Sequence, residues 1–311
     1  MRSQYPVWPD NKRFAFTIFD DTDLGTLANL RPVYSFLRDL GILTTKSVWP
    51  LGAVAESAEY GDTCENPEYL AWLKELQAEG FEIALHNASF KTSKRARTAQ
   101  GLDVFKEHFS SWPKTMVNHA ACRENIYWGA NRVTGSRRVL YNFLTWRKQD
   151  NIFRGHLQDD PLFWGDYCKK YIQYVRNFVF ADINTLKVCP FMPYHDPEKP
   201  FVNYWFCSSD GKNVEQFNRV IVERNQAKLE KEGGLCIMYT HFGKGFFAGG
   251  RLNSKFEKLM RLLASKNGWF VPVSTVLDFL RSQNGGHRIT GAERAQLEWR
   301  WLCDKLFLGP T

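Results

Sequence analysis

The chain has 311 residues, 44% hydrophobic and 24% charged, a balance that excludes a disordered or low-complexity polymer. Lys and Arg outnumber Asp and Glu 41 to 33, a net charge of +8, and aromatic residues make up 15%. A basic, ring-rich chain suits nucleic acid, an anionic membrane surface or a glycan as partner.

Phe14 to Phe19 form an apolar, strand-favouring run that stops at Asp20-Asp21. Leu30, Val33, Tyr34, Leu37 and Leu40 then lie on one helical stripe that Gly41 ends. Residues 42–49 read as the second strand. Asn66 caps a helix with Pro67 at its first position and Leu70, Leu73 and Leu76 as its buried face, ended by Gly80. Phe81 to Leu85 form a third strand that delivers His86. A basic helix near 94–110 leads to Thr115-Met116-Val117, and Val179 to Ile183 read as a later strand. Residues 213–232 read as helix, Leu235 to Tyr239 as a strand running to His241, and 254–266 as a further helix before Trp269 to Pro272. Residues 274–283 and 291–306 are helical in pattern. Alternating strands and helices imply a parallel sheet, open or closed, with helices outside. Residues 120–212 break the rhythm and read as long aromatic- and proline-rich loops over one face. The expectation is one catalytic domain over 1–311, with a barrel about 13–283 and a C-terminal helical extension about 284–311.

No window approaches the ~20 apolar residues of a membrane span. Residues 1–10 lack the apolar segment of a secretory signal, so a cytoplasmic location is expected. Seven cysteines, an odd number with no C-x-x-C pair, argue against a disulfide framework and a structural zinc knuckle.

In parallel α/β folds chemistry collects beyond the carboxyl ends of the strands. Four such ends here carry ionisable residues: Asp20-Asp21 with Asp23, His86, His119 and His241. Converging carboxylates and imidazoles suit a borderline divalent metal such as zinc with one position open for water. A lone strand-end His is ordinarily a hydrogen-bonded surface residue, and adjacent aspartates commonly form a turn or cap. Four such ends together weigh against that reading.

Thr17-Ile18-Phe19-Asp20-Asp21 resembles the Thr-Phe-Asp-Asp-Gly motif of the polysaccharide deacetylase (NodB-homology, carbohydrate esterase 4-like) superfamily. Gly80 to Phe90 are similar to its second motif, in which a Gly-x-Glu-Ile strand leads into His-x-x-x-His. Gly234 to His241 resemble the late strand ending in a catalytic His, and Val271 to Leu277 the last strand and helix. The likeness covers roughly 13–280 in the right order. The central segment, with Trp164-Gly165-Asp166 and Pro193-Tyr194-His195-Asp196, resembles a divergent WbmS-like branch associated with surface-glycan biosynthesis.

The resemblance implies a distorted (β/α)7 barrel with long loops over its mouth, and a hydrolase that removes acetyl groups from amino sugars in a surface polysaccharide or its precursor. It implies Asp20 as general base, His241 as general acid, and Asp21 and His86 as ligands of one divalent ion, zinc in first place. Two departures stand out. The second motif histidine falls on Phe90, and the Arg-Pro-Pro-Tyr-like motif is replaced by Val117 to Ala120, with Arg123 and Tyr127 further on. His119 or Asp23 is the candidate for the missing ligand, and a metal-free site is the third alternative. Asp182 and Asn184 are expected to support the base in the family manner.

Arg123, Tyr127, Trp128, Trp164, Tyr194 and Trp205 are candidate substrate contacts, their rings suited to stacking on sugars or else to ordinary loop packing. Two basic clusters, Lys91, Lys94, Arg95 and Arg97, and Arg132, Arg137 and Arg138, read as solvated helix faces. No nucleic-acid-binding signature accompanies them, so the expected partner is a carbohydrate, with a substrate phosphate or an anionic membrane surface beside it. Three activities stay open: a metal-dependent N-deacetylase, another C–N (non-peptide amide) hydrolase on the same barrel, with or without metal, and a non-catalytic glycan binder.

Overall fold

A computed structural model describes residues 6–52, 60–148 and 151–308. Part of the N-terminal segment read for a secretory signal therefore lies outside the described residues.

The strands are β1 (Phe14–Asp20), β2 (Thr45–Val48), β3 (Glu82–Leu85), β4 (Thr115–Met116), β5 (Tyr174–Phe180), β6 (Tyr194–His195), β7 (Tyr204–Asp210) and β8 (Leu235–Thr240). All but β6 run parallel in the order β1-β2-β3-β4-β5-β7-β8, and β8 also pairs with β1. The sheet is thus a closed seven-stranded barrel, as the motifs implied. The short β6 adds antiparallel to the outside of β7. Every residue of β1 is buried, because a closed parallel sheet has helices on one face and its own interior on the other.

The helices are α1 (Leu27–Asp39), α2 (Pro67–Ala78), α3 (Arg95–Phe109), α4 (Gly135–Leu144), α5 (Gly165–Tyr171), α6 (Thr185–Val188), α7 (Val214–Val220), α8 (Glu223–Glu232), α9 (Ser254–Ala264), α10 (Val273–Asn284) and α11 (Gly291–Leu308). Thr26 and Asn29 form a reciprocal capping box on α1, and Asn66 caps α2 ahead of Pro67. Leu30, Val33, Tyr34 and Leu37 are buried as their stripe predicts. On α2 the buried face is Tyr69, Trp72, Leu73 and Leu76, while Leu70 is only half-buried.

Three expectations need correction. The strand expected at 179–183 lies earlier, at Tyr174–Phe180, because Arg176 and Asn177 interrupt its apolar run although both are buried. The stretch 213–232 is two helices, since Val222 is extended (φ −54°, ψ 152°) and separates α7 from α8. Within the region read as loops, β7 completes the barrel wall; its Ser208, Ser209 and Asp210 are buried polar residues that mask a strand pattern.

The barrel is distorted between β7 and β8, which pair only at Ser209↔Met238 and Asp210↔Tyr239. Below that point, side chains before and in α6 replace the missing ladder: Leu235 N–H donates to Asn184 Oδ1 (3.3 Å) and Ile237 N–H to Thr185 Oγ1 (3.0 Å). The C-terminal α11 covers the outside of β5, where Trp301 meets Phe178 with ring centroids 5.2 Å apart. Among the described residues, no helix is long and apolar enough to cross a membrane.

Candidate active site and metal centre

Register brings the ionisable residues together at the carboxyl end of the barrel. Asp20 pairs with Thr240, and Asp21 N–H donates to the Thr240 carbonyl (2.8 Å), so Asp21 and His241 emerge side by side. Val48 pairs with Leu85 and accepts from His86 N–H (2.9 Å), which sets His86 next to Trp49. Beyond β4 the loop delivers His119, whose backbone N–H donates to Asn87 Oδ1 (2.8 Å). Asn87 has φ +58°, a left-handed turn that Asn tolerates better than most residues.

Three imidazoles surround one carboxylate. Asp23 Oδ1 lies 3.1 Å from His119 Nε2, and Asp23 Oδ2 lies 3.2 Å from His86 Nε2 and 3.5 Å from His241 Nε2. One ligand atom each from Asp23, His86 and His119 falls within 4.8 Å of the others, a spacing able to hold a single ion. Both ring nitrogens of His86 and Oδ2 of Asp23 are buried without a hydrogen bond. Orphaned polar atoms at such depth are costly, and a cation among them removes the cost. The donor set, two imidazoles and a carboxylate, is one that zinc accepts with a position left over. The residues present therefore fit a divalent metal, with Asp23 and His119 both in the set.

Burial alone would raise the Asp23 carboxyl, but the imidazoles of His119, His241 and His86 that face it outweigh burial and hold the group well below the usual value. Burial lowers the His86 imidazole, which favours the neutral form that ligates metals. His241 Nδ1 lies 2.7 Å from the Lys212 carbonyl, so Nδ1 carries a proton and Nε2 faces the cleft.

Asp20 and Asp21 face opposite ways, because successive strand residues alternate. Phe19 packs inside the barrel against Phe206 (5.9 Å). Asp20 therefore turns outward to the helix layer, where its carboxylate is fully enclosed by Lys46 Nζ (3.1 Å), Tyr34 Oη (3.0 Å) and Phe242 N–H (2.8 Å). Burial raises its pKa despite Lys46. Asp21 turns inward and is clamped by Arg176 of β5, Nη1 to Oδ1 at 2.8 Å and Nη2 to Oδ2 at 2.5 Å. Asp21, Asp23, His86, His119, His241 and Arg176 line one cleft of about 60 Å³; Asp20 does not reach it.

Phe90, at the second motif histidine, is wholly buried against Trp49 (5.4 Å) and stacked on Tyr60 (4.5 Å). Trp49 also meets the rings of His86 (5.6 Å) and His119 (5.4 Å), so it forms the floor under both imidazoles.

The other expected residues scatter. Trp164, Tyr194 and Trp205 belong to the hydrophobic core, at most 1% exposed, because β5 and β7 need large rings packed around them. Tyr127 packs against His156 with the rings tilted (centroids 4.4 Å apart) and lines a separate cleft with Lys199 and Glu198. Arg123 is exposed. Asn184 and Asp182 sit toward the amino end of β8, the far end from His241; Asn184 caps α6 and Asp182 faces Lys228 (3.4 Å). Of the expected ring contacts only Trp128 lines the cleft, which also includes Arg132 and Tyr239, neither singled out in sequence as a site residue. Arg132 was expected on a solvated face, yet it is 2% exposed. Arg95 of the other basic cluster forms a bidentate pair with Asp166 (2.7 and 2.7 Å).

No protein-family model and no curated protein matches the sequence. Solved structures do match in fold. A protein assigned as a polysaccharide deacetylase from Mycobacterium smegmatis superposes with a TM-score of 0.52 at 11% identity, covering 91% of this chain and 95% of that one. Another so assigned, from Pseudomonas aeruginosa, gives 0.52 at 11% identity over 90% and 94%. PuuE allantoinase gives 0.51 at 10% identity over 89% and 93%. The chain thus shares its barrel fold with these structures, as the motifs implied for the fold.

Proposed function

We propose that the chain is a metal-dependent amide hydrolase that removes the acetyl group from an N-acetylated amino sugar of a surface polysaccharide or its precursor. The observation that carries this reading is the Asp21–Arg176 pair in the same cleft as the Asp23, His86 and His119 cluster. The deacetylase and allantoinase names of the structural neighbours support it.

Asp23, His86 and His119 would hold the ion. A divalent cation there supplies Lewis-acid polarisation of a carbonyl and acidification of water. Asp21, not Asp20, is assigned as general base, since only Asp21 opens on the cleft. It takes a proton from the attacking water as oxygen bonds to the carbonyl carbon. Arg176 keeps both carboxylate oxygens in one plane and orientation. His241, with Nδ1–H anchored on the Lys212 carbonyl, acts as the imidazolium: it gives the second proton, on Nε2, to the departing nitrogen as the C–N bond breaks and is left neutral. The products are acetate and a free amine. Arg132 and Tyr239, lining the same cleft, limit water and frame the acyl group.

The test is a substrate panel with zinc-loaded protein. An N-acetylglucosamine oligosaccharide should release acetate and expose a primary amine. Ring opening of a cyclic amide such as allantoin, with no acetate release, would move the assignment to another C–N hydrolase. Sugar binding with turnover of neither would make the protein a glycan binder.

A further inference from the structure

Beside the metal-site cleft lies a cavity of about 530 Å³ between α4, α11 and Trp128. The two adjoin, with Ala120, Trp128 and Arg132 lining both. The smaller one has room for little more than an acyl group and a water, and the larger lies where the rest of a substrate would extend. Arg132 is 2% exposed, its Nε has no hydrogen-bond partner, and it makes no ion pair among the described residues. Its guanidinium lies 3.0 Å above the Trp128 ring and 5.4 Å from that of Trp301. Lys305 of α11 lines the same cavity, and its Nζ is buried without a hydrogen bond. The described wall of the cavity carries Arg132, Lys148 and Lys305 and no carboxylate.

Burial pulls Arg132 down to about 9 and Lys305 to about 8, both still above neutrality, so both remain cationic. Asp210 and Asp304 act on Lys305, whereas among the described residues no carboxylate acts on Arg132; a buried cation without a counter-ion is expensive to maintain, and a ligand anion removes that cost. A guanidinium held over an indole face keeps its N–H edges free at the sides, suited to two oxygens of one anion.

We propose that Arg132 and Lys305 bind an anionic group of the substrate, a phosphate ester or a carboxylate on the sugar that carries the amide, seated against Trp128 and Trp301. The proposal rests on the amide-hydrolase reading for the position of the amide, and it narrows that reading to acidic amino sugars or their phosphate esters.

Binding, rather than turnover, tests it. Zinc-loaded full-length protein is titrated calorimetrically, at low salt, with the neutral methyl glycoside of N-acetylglucosamine, with N-acetylglucosamine 1-phosphate and with 2-acetamido-2-deoxyglucuronate. At least one anionic probe should bind about tenfold or more tighter than the neutral glycoside. Which one does so distinguishes phosphate from carboxylate, and inorganic phosphate should compete if it is the former. Arg132→Gln should bring the best probe within about twofold of the neutral sugar, and Arg132→Lys should recover part of the preference. Equal binding of all three by the wild type, or an undiminished preference in Arg132→Gln, overturns the proposal. If circular dichroism shows that Arg132→Gln does not fold, Lys305→Gln decides: a several-fold loss of preference supports the site, and full retention overturns it. Anion preference without acetate release would leave this site standing and reject the hydrolase reading.

Discussion

Arg176 reaches across the barrel interior from β5 and clamps both oxygens of Asp21, at 2.8 and 2.5 Å. The pair joins two strands that are not neighbours in the sheet, so it fixes the base relative to the opposite wall. A lysine keeps the charge and loses the fork. Arg176→Lys should lower kcat about 10- to 100-fold with KM nearly unchanged, because the base is misaligned while the sugar contacts remain. Steady-state kinetics on acetate release check this, and an unaltered kcat would remove the positioning role.

The metal prediction follows from the orphaned atoms of Asp23 and His86. Elemental analysis of protein dialysed against zinc should find about one ion per chain. Asp23→Ala, His86→Ala and His119→Ala should each lower affinity steeply, whereas Asp20→Asn should not act on the ion directly, because that carboxylate faces Lys46 and Tyr34. Full occupancy in Asp23→Ala would contradict the ligand set.

Among the aromatic residues the effects should separate. Trp164 is buried with its Nε1–H donated to the Glu124 carbonyl (2.6 Å), so Trp164→Phe loses a buried hydrogen bond and part of a packed ring. Its cost should be about 2–4 kcal/mol of stability, read as a lower Tm with KM unchanged. Trp128→Ala should do the reverse, raising KM several-fold with a smaller change in Tm, since Trp128 lines the cleft and the cavity beside it.

A pH dependence of stability arises away from the cleft. Glu82 accepts hydrogen bonds from Thr45 (2.7 Å), Thr115 (2.9 Å) and the Ser274 N–H (2.9 Å), yet burial dominates and raises its carboxyl above the usual 4.5. A raised folded-state pKa means that the folded chain binds more protons than the unfolded one. Its stabilising contribution is complete below pH 4.5 and declines as pH rises through the folded value. The Tm advantage of wild type over Glu82→Gln should therefore shrink from pH 4 upward; an advantage that grows with pH would reverse the sign.

The sequence made the barrel legible because β1 and β3 are mostly apolar runs that end at the polar pairs Asp20-Asp21 and His86-Asn87, and α1 and α2 each carry a cap and a stripe. His86 and His241 were readable as strand-end residues. The roles of Asp20 and Asp21 were not, because β1 is buried on both faces and no polar alternation marks which side faces inward. Arg176 stayed hidden in a strand whose apolar pattern it breaks, and its partner lies 155 positions away. Phe90 could be seen as a lost histidine; that His119 stands beside His86 instead depends on the loop beyond β4, whose path Asn87 sets. Trp164, Tyr194 and Trp205 were ambiguous by composition, since a ring for a sugar and a ring for a core look alike in sequence.

The most direct measurement is acetate release from an N-acetylated amino sugar by wild type and Asp21→Asn, each shown by elemental analysis to carry equal zinc. The account predicts that Asp21→Asn keeps its metal while kcat falls about 100- to 10,000-fold, with a lower Tm because Arg176 loses its buried counter-ion. Release by Asp21→Asn at the wild-type rate would contradict it.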